Sequence, residues 1–82
     1  MKVAVDISLY PLDADFIPPI KDVIDRLNEH DELEVWTNAM STQLVGEFDI
    51  VMDALRKELG TSFEQSPKAV FVMKMFNNPG QP

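Results

Sequence analysis

From Lys2 to Tyr10, Val3, Val5, Ile7 and Leu9 alternate with Ala4, Asp6, Ser8 and Tyr10. A period of two is the pattern of a strand that turns one face to a core. Pro11 ends the run, and the spacing of Phe16, Ile20, Val23, Ile24 and Leu27 predicts a first helix reaching about Glu29. Asp15 is the expected N-cap, with Pro18 and Pro19 in a first turn whose N–H groups lack intrahelical partners anyway. Alternation resumes over Glu32–Asn38, where Leu33, Val35 and Thr37 oppose Glu34, Trp36 and Asn38. A third strand is predicted at 41–45, and either Thr42 and Leu44 or Gln43 and Val45 can face inward. Beyond Gly46, the stripe Phe48, Val51, Met52, Leu55 and Leu59 predicts a second helix ending at Gly60 as its C-cap. Thr61–Pro67 reads as a connector and Lys68–Phe76 as the last strand.

The order strand, helix, strand, strand, helix, strand predicts an α+β ferredoxin-like βαββαβ fold. It implies a four-stranded antiparallel sheet with two helices on one face. No repeat or linker divides the chain, so one domain is expected over 1–78, with 79–82 as a flexible tail. Parity places Ala4, Tyr10, Trp36, Val70, Val72, Lys74 and Phe76 on the face that the helices leave open. A sheet face this apolar is expected to pack on a second copy or to wall a ligand site.

Composition sharpens the picture. The chain has 82 residues, 45% of them hydrophobic, enough for a core. A domain of this size buries only roughly 60% of its unfolded surface, and small domains gain further stability from disulfides, metals or partners. Cysteine is absent, which excludes disulfides, thiolate metal sites and a catalytic thiol, and His30 is the single histidine. Self-association is the remaining staple. A net charge of −7 disfavours nucleic acid and anionic membranes. With no apolar run of membrane-spanning length and no signal-peptide pattern, a cytoplasmic setting is expected.

No glycine-rich phosphate loop, nucleophile–base spacing or metal-binding motif is present, so the chain is not expected to be an enzyme and no cofactor or metal is expected. Asp6, in the middle of an apolar strand face, is the most informative residue. It is either a carboxylate satisfied by Lys74 and water, or an acceptor for the amino group and protonated ring nitrogen of a base. Trp36 shares the face and either stacks on such a ring or fills a dimer interface. Small side chains on the intervening strand, Ser41 or Thr42, would leave a slot between them. Ser8, Tyr10, Thr37, Asn38, Ser41 and Thr42 add neutral polar groups on neighbouring strands. His30 reads as a structural cap at a helix end, and the helix carboxylates, Glu58 included, as solvated faces.

The segments Ile7-Ser8-Leu9-Tyr10-Pro11-Leu12, Asp15-Phe16-Ile17, Val35-Trp36-Thr37, Ser41 through Asp49, and Ala69-Val70-Phe71 together resemble the YkoF-type thiamine/hydroxymethylpyrimidine-binding family. The stretch Ser41-Thr42 followed by Gly46-Glu47-Phe48-Asp49 is also similar to the related one-domain thiamine-binding proteins. The resemblance extends from Val5 to Gly80. It implies non-catalytic binding of thiamine or its hydroxymethylpyrimidine moiety, for uptake or salvage. YkoF-type chains carry two such repeats and this one has a single repeat, so a homodimer or a dimer of dimers is the expected assembly. The ligand-binding set expected from these readings is Asp6, Ser8, Tyr10, Trp36, Thr37, Asn38, Ser41 and Thr42. The alternative is a regulatory or assembly module that uses its open sheet face only to oligomerise.

Overall fold

The structure, a computed structural model, describes residues 1–80; the last two positions of the predicted tail lie outside the described residues. The elements are β1 (Lys2–Pro11), α1 (Ile17–Asn28), β2 (Glu34–Thr37), β3 (Thr42–Glu47), α2 (Phe48–Gln65) and β4 (Ala69–Asn77). The sheet order is β2-β3-β1-β4, with all three pairings antiparallel. This is the predicted ferredoxin-like arrangement.

The alternation of β1 sets the two faces. Val3, Val5, Ile7 and Leu9 are buried against the helices, together with Leu44 of β3 and Leu33 before β2. The helices return Val23 and Leu27 from α1, and Val51, Ala54 and Leu55 from α2. In β3, Thr42, Leu44 and Gly46 point inward while Gln43 and Val45 point outward, which resolves the open phase of that strand. Gly46 is needed there for space: a Cβ at this position would stand 2.7 Å from Leu33 Cδ2 and 3.4 Å from Val51 Cγ2.

Three local expectations change. The helix α1 is capped by Phe16 with no side-chain hydrogen bond, rather than by Asp15. A capping oxygen accepts from the second or third helical N–H, and Pro18 and Pro19 have none to give. The N–H of Asp15 instead donates to Asp13 Oδ1 at 3.0 Å. At the other end, α2 runs through Gly60 to Gln65 instead of stopping there. Glycine inside a helix costs about 1 kcal/mol, and the added turn gains tertiary anchors. Ser62 Oγ accepts from Arg26 Nη2 at 2.7 Å, and the Phe63 and Phe71 rings meet edge to face with centroids 5.4 Å apart.

The third change concerns Glu58, which is not solvated but only 3% exposed. Arg26 Nη1 donates to its Oε1 at 2.7 Å and to its backbone carbonyl at 2.9 Å. His30 Nε2 lies 2.6 Å from its Oε2, and Arg26 Nε donates to Asp22 Oδ2 at 2.9 Å. His30 is therefore a partner across the helix pair, tying α1 to α2. Burial alone pushes the Glu58 carboxyl up, but the His30 and Arg26 hydrogen bonds outweigh it and hold the group below its ordinary value.

Candidate functional site

Where the C-terminal half of β1, the β2–β3 turn and one side of α1 converge, the structure opens into a cleft of about 450 Å³. Pockets that hold small molecules span roughly 300–1,000 Å³ and combine apolar walls with a few polar groups. Ile20, Ile24 and Leu27 of α1, Leu9 of β1 and Phe71 of β4 supply apolar wall, with Leu12 and Phe16 from the β1–α1 loop. Thr37, Asn38, Ser41 and Thr42 contribute polar groups, and Ser8 and Tyr10, which alternate with the buried Ile7 and Leu9, reach its rim from the open-face side of β1. None of the described side chains lining the cleft carries a formal charge.

Six of the eight expected site residues thus gather at one cleft. Thr37 and Thr42 are directly paired across β2 and β3, and their hydroxyl oxygens lie 3.0 Å apart. They sit on the helix side of the sheet, with Thr42 buried. One hydroxyl donates to the other, which leaves a hydroxyl proton and oxygen lone pairs for a ligand edge. Asn38 organises the turn: its Oδ1 accepts from the N–H groups of Met40 at 2.7 Å and Ser41 at 3.0 Å. Ser8 Oγ donates to the Met40 carbonyl at 3.3 Å, tying the turn to β1.

Asp6 and Trp36 lie apart from this cleft, on the open face. Trp36 pairs with Gln43, and Gln43 pairs with Asp6, so the long Gln43 side chain stands in the row between them. The slot expected from Ser41 or Thr42 does not exist, because Thr42 faces the helices and Ser41 belongs to the turn. Asp6 is half-buried; Ser41 Oγ donates to its Oδ1, and Lys74 Nζ is 3.8 Å from its Oδ2. Asp6 therefore reaches the cleft through Ser41, and Lys74 is the neighbour that parity placed beside it.

The cleft's apolar walls were visible in the sequence only as core. Phe16, Ile20 and Ile24 recur at intervals of four along α1 beside Val23 and Leu27. That spacing is the spacing of ordinary core, so the sequence carries no separate signal of the groove. Among the described residues, no group of three or more carboxylates and histidines is placed to hold a metal ion, and no helix is long and apolar enough to cross a membrane.

Fold and cleft together define a single-repeat ferredoxin-like domain with a ligand-sized opening at one end of its sheet. The family model described as thiamine-binding protein matches residues 5–81, and the chain belongs to that family. No functionally curated protein matches the sequence. Among solved structures, a hypothetical protein from Methanocaldococcus jannascii superposes with a TM-score of 0.82 at 28% identity, covering 99% of this chain and 84% of its own. A Thermotoga maritima protein, provisionally assigned to thiamine biosynthesis or salvage, gives 0.73 at 23% identity, covering 98% and 87%. A Streptococcus pneumoniae protein gives 0.77 at 22% identity, covering 98% and 90%.

Proposed function

We propose that the protein binds thiamine, or the hydroxymethylpyrimidine that forms its aminopyrimidine half, in this cleft and releases it chemically unchanged. It would act in the cytoplasm, in uptake or salvage. The carrying observation is that a chain of the thiamine-binding family has an apolar cleft of about 450 Å³ with six neutral polar residues along its walls and rim. The provisional assignment of the Thermotoga maritima relative to thiamine biosynthesis or salvage agrees with this reading. Apolar walls suit the faces of a heteroaromatic ring, and the Thr37–Thr42 pair offers a donor beside an acceptor for its amino and ring-nitrogen edge. Asp6 contributes by holding Ser41, so that the carboxylate polarises a hydroxyl at the cleft instead of touching the ring.

Calorimetric titration with thiamine, hydroxymethylpyrimidine and the isolated thiazole alcohol tests the assignment. Binding of the first two and not the third is expected, with all three recovered intact. Asp6→Asn should weaken pyrimidine binding roughly tenfold, the scale of a charge-assisted hydrogen bond, with the fold retained. Binding of the thiazole alone, or cleavage of thiamine that depends on the protein, would contradict the proposal.

The open face supports an accompanying assembly. Phe76 is 58% exposed, Trp36 54%, Val72 53% and Val70 43%, in a domain that has no cysteine for a disulfide. We propose that this face joins two copies into a homodimer, on its own or within a dimer of dimers. Each large apolar side chain buried contributes roughly 1.5–3 kcal/mol before association costs. Sedimentation should give a dimer or tetramer at micromolar concentration, and Phe76→Glu should give a folded monomer. A monomeric wild type would contradict this assembly, whereas an oligomer that binds none of the three ligands would favour a purely regulatory or assembly role.

A further inference from the structure

The charge pattern around the cleft bears on which form of the proposed ligand it would take, an inference that rests on the function proposed above. The cleft runs along α1 from Phe16, its N-cap residue, to Leu27, so the helix N-terminus lies at one end of it. Helix N-termini hold phosphates because their first N–H groups are free and the dipole is positive there. In this helix, Pro18 and Pro19 occupy the first turn and have no N–H to offer. Asp13 and Asp15 stand between Leu12 and Phe16, two residues of the cleft wall, and both carboxylates are exposed.

Cations do not compensate. None of the described lining side chains is Lys, Arg or His. Lys21 is paired with Asp25 at 2.9 Å, Lys74 lies beside Asp6, and Arg26 is committed to Asp22 and Glu58. Lys68 is the cation next to the loop, its carbonyl accepting from the Leu12 N–H at 3.1 Å. It is not among the residues that line the cleft. A phosphate entering here would leave water without a counter-charge and approach two carboxylates, in a chain of net charge −7.

We propose that the site takes the free alcohol, thiamine itself, and excludes its phosphate esters. The proline pair and the acidic loop are the discriminating elements. The thiazolium cation meets the opposite situation, with Asp13 and Asp15 nearby and the aromatic residue Phe16 in the wall.

The test is calorimetric titration of the wild type with thiamine, thiamine monophosphate and thiamine pyrophosphate, repeated on an Asp13→Asn, Asp15→Asn double variant. Asparagine at position 13 keeps an oxygen for the Asp15 N–H contact, so the loop should hold its shape. The monophosphate is expected to bind roughly tenfold more weakly than thiamine, and the pyrophosphate more weakly still. The double variant should narrow the gap by strengthening ester binding without strengthening thiamine binding. Esters that bind the wild type as tightly as thiamine would overturn the inference and leave the proposed function standing. An unchanged gap in the double variant would overturn the role given to the two carboxylates. Failure of all three compounds to bind would overturn the proposed function and the inference with it.

Discussion

Glu58→Ala is expected to destabilise the domain by up to about 3–5 kcal/mol, the cost of breaking a buried ion pair by removing one partner. Arg26 would lose its 2.7 Å bond to the carboxylate and His30 its 2.6 Å contact, while Arg26 stays tethered to Asp22 and Ser62. Domains of this size are stable by about 4–12 kcal/mol, so the variant stands near the threshold of folding. A signature in pH accompanies it. Because the folded Glu58 carboxyl lies below its ordinary value of about 4.5, the unfolded chain binds the proton more readily. The stabilisation is therefore complete above that value and is lost as pH falls through the lower folded one. Urea unfolding at pH 7 and near pH 3.5 should show the wild type losing more stability than Glu58→Gln, which has no carboxyl to protonate. Equal pH sensitivity in the two proteins would contradict the assignment.

Leu44→Ala is expected to cost about 2–5 kcal/mol, the range for emptying a packed core position. Leu44 has no exposed surface and sits on β3 opposite Val5 and Val35, at the centre of the helix-facing side. Two features make this site costly. The neighbouring strands are fixed on both sides by the sheet, and the helices above are tied together through Arg26 and Glu58, so the gap has little room to collapse. A midpoint shift in urea unfolding corresponding to less than about 1 kcal/mol, at an unchanged slope, would show that the core relaxes around the loss.

Much of this architecture is legible along the chain because β1 alternates without interruption and both helices carry apolar stripes. Val3, Val5, Ile7 and Leu9 announce their face directly, and once the element order is known the open face follows by parity. The phase of β3 is not legible, since Thr42/Leu44 and Gln43/Val45 each offer one polar and one apolar residue. The close approach of Gly46 to Leu33 and Val51 accompanies the inward phase, and those contacts come from other elements. The burial of Glu58 is hidden for the same reason: its partners stand 28 and 32 positions away, and a helix carboxylate reads as solvated until they are brought beside it.

The candidate site divides along the same line. Ser8, Tyr10, Thr37, Asn38, Ser41 and Thr42 could be grouped from the sequence because they cluster where strands end near one another. Their opening lies under α1, and the residues that wall it, such as Ile20 and Ile24, have the spacing of ordinary core. A cleft formed by leaving core positions incompletely covered has no separate sequence signature. Parity alone links Asp6 and Trp36, and it says nothing of Gln43 standing between them.

The central claim is that the ligand enters the cleft under α1 and not the open sheet face. Titrating thiamine into ¹⁵N-labelled protein while following its amide resonances tests this most directly. The largest shifts are predicted at Ser8–Leu12, at Thr37–Thr42 and in the first turns of α1, with smaller changes at Glu34, Gln43 and Val72 on the open face. Shifts concentrated on those open-face strands, or an unchanged spectrum at saturating thiamine, would contradict it.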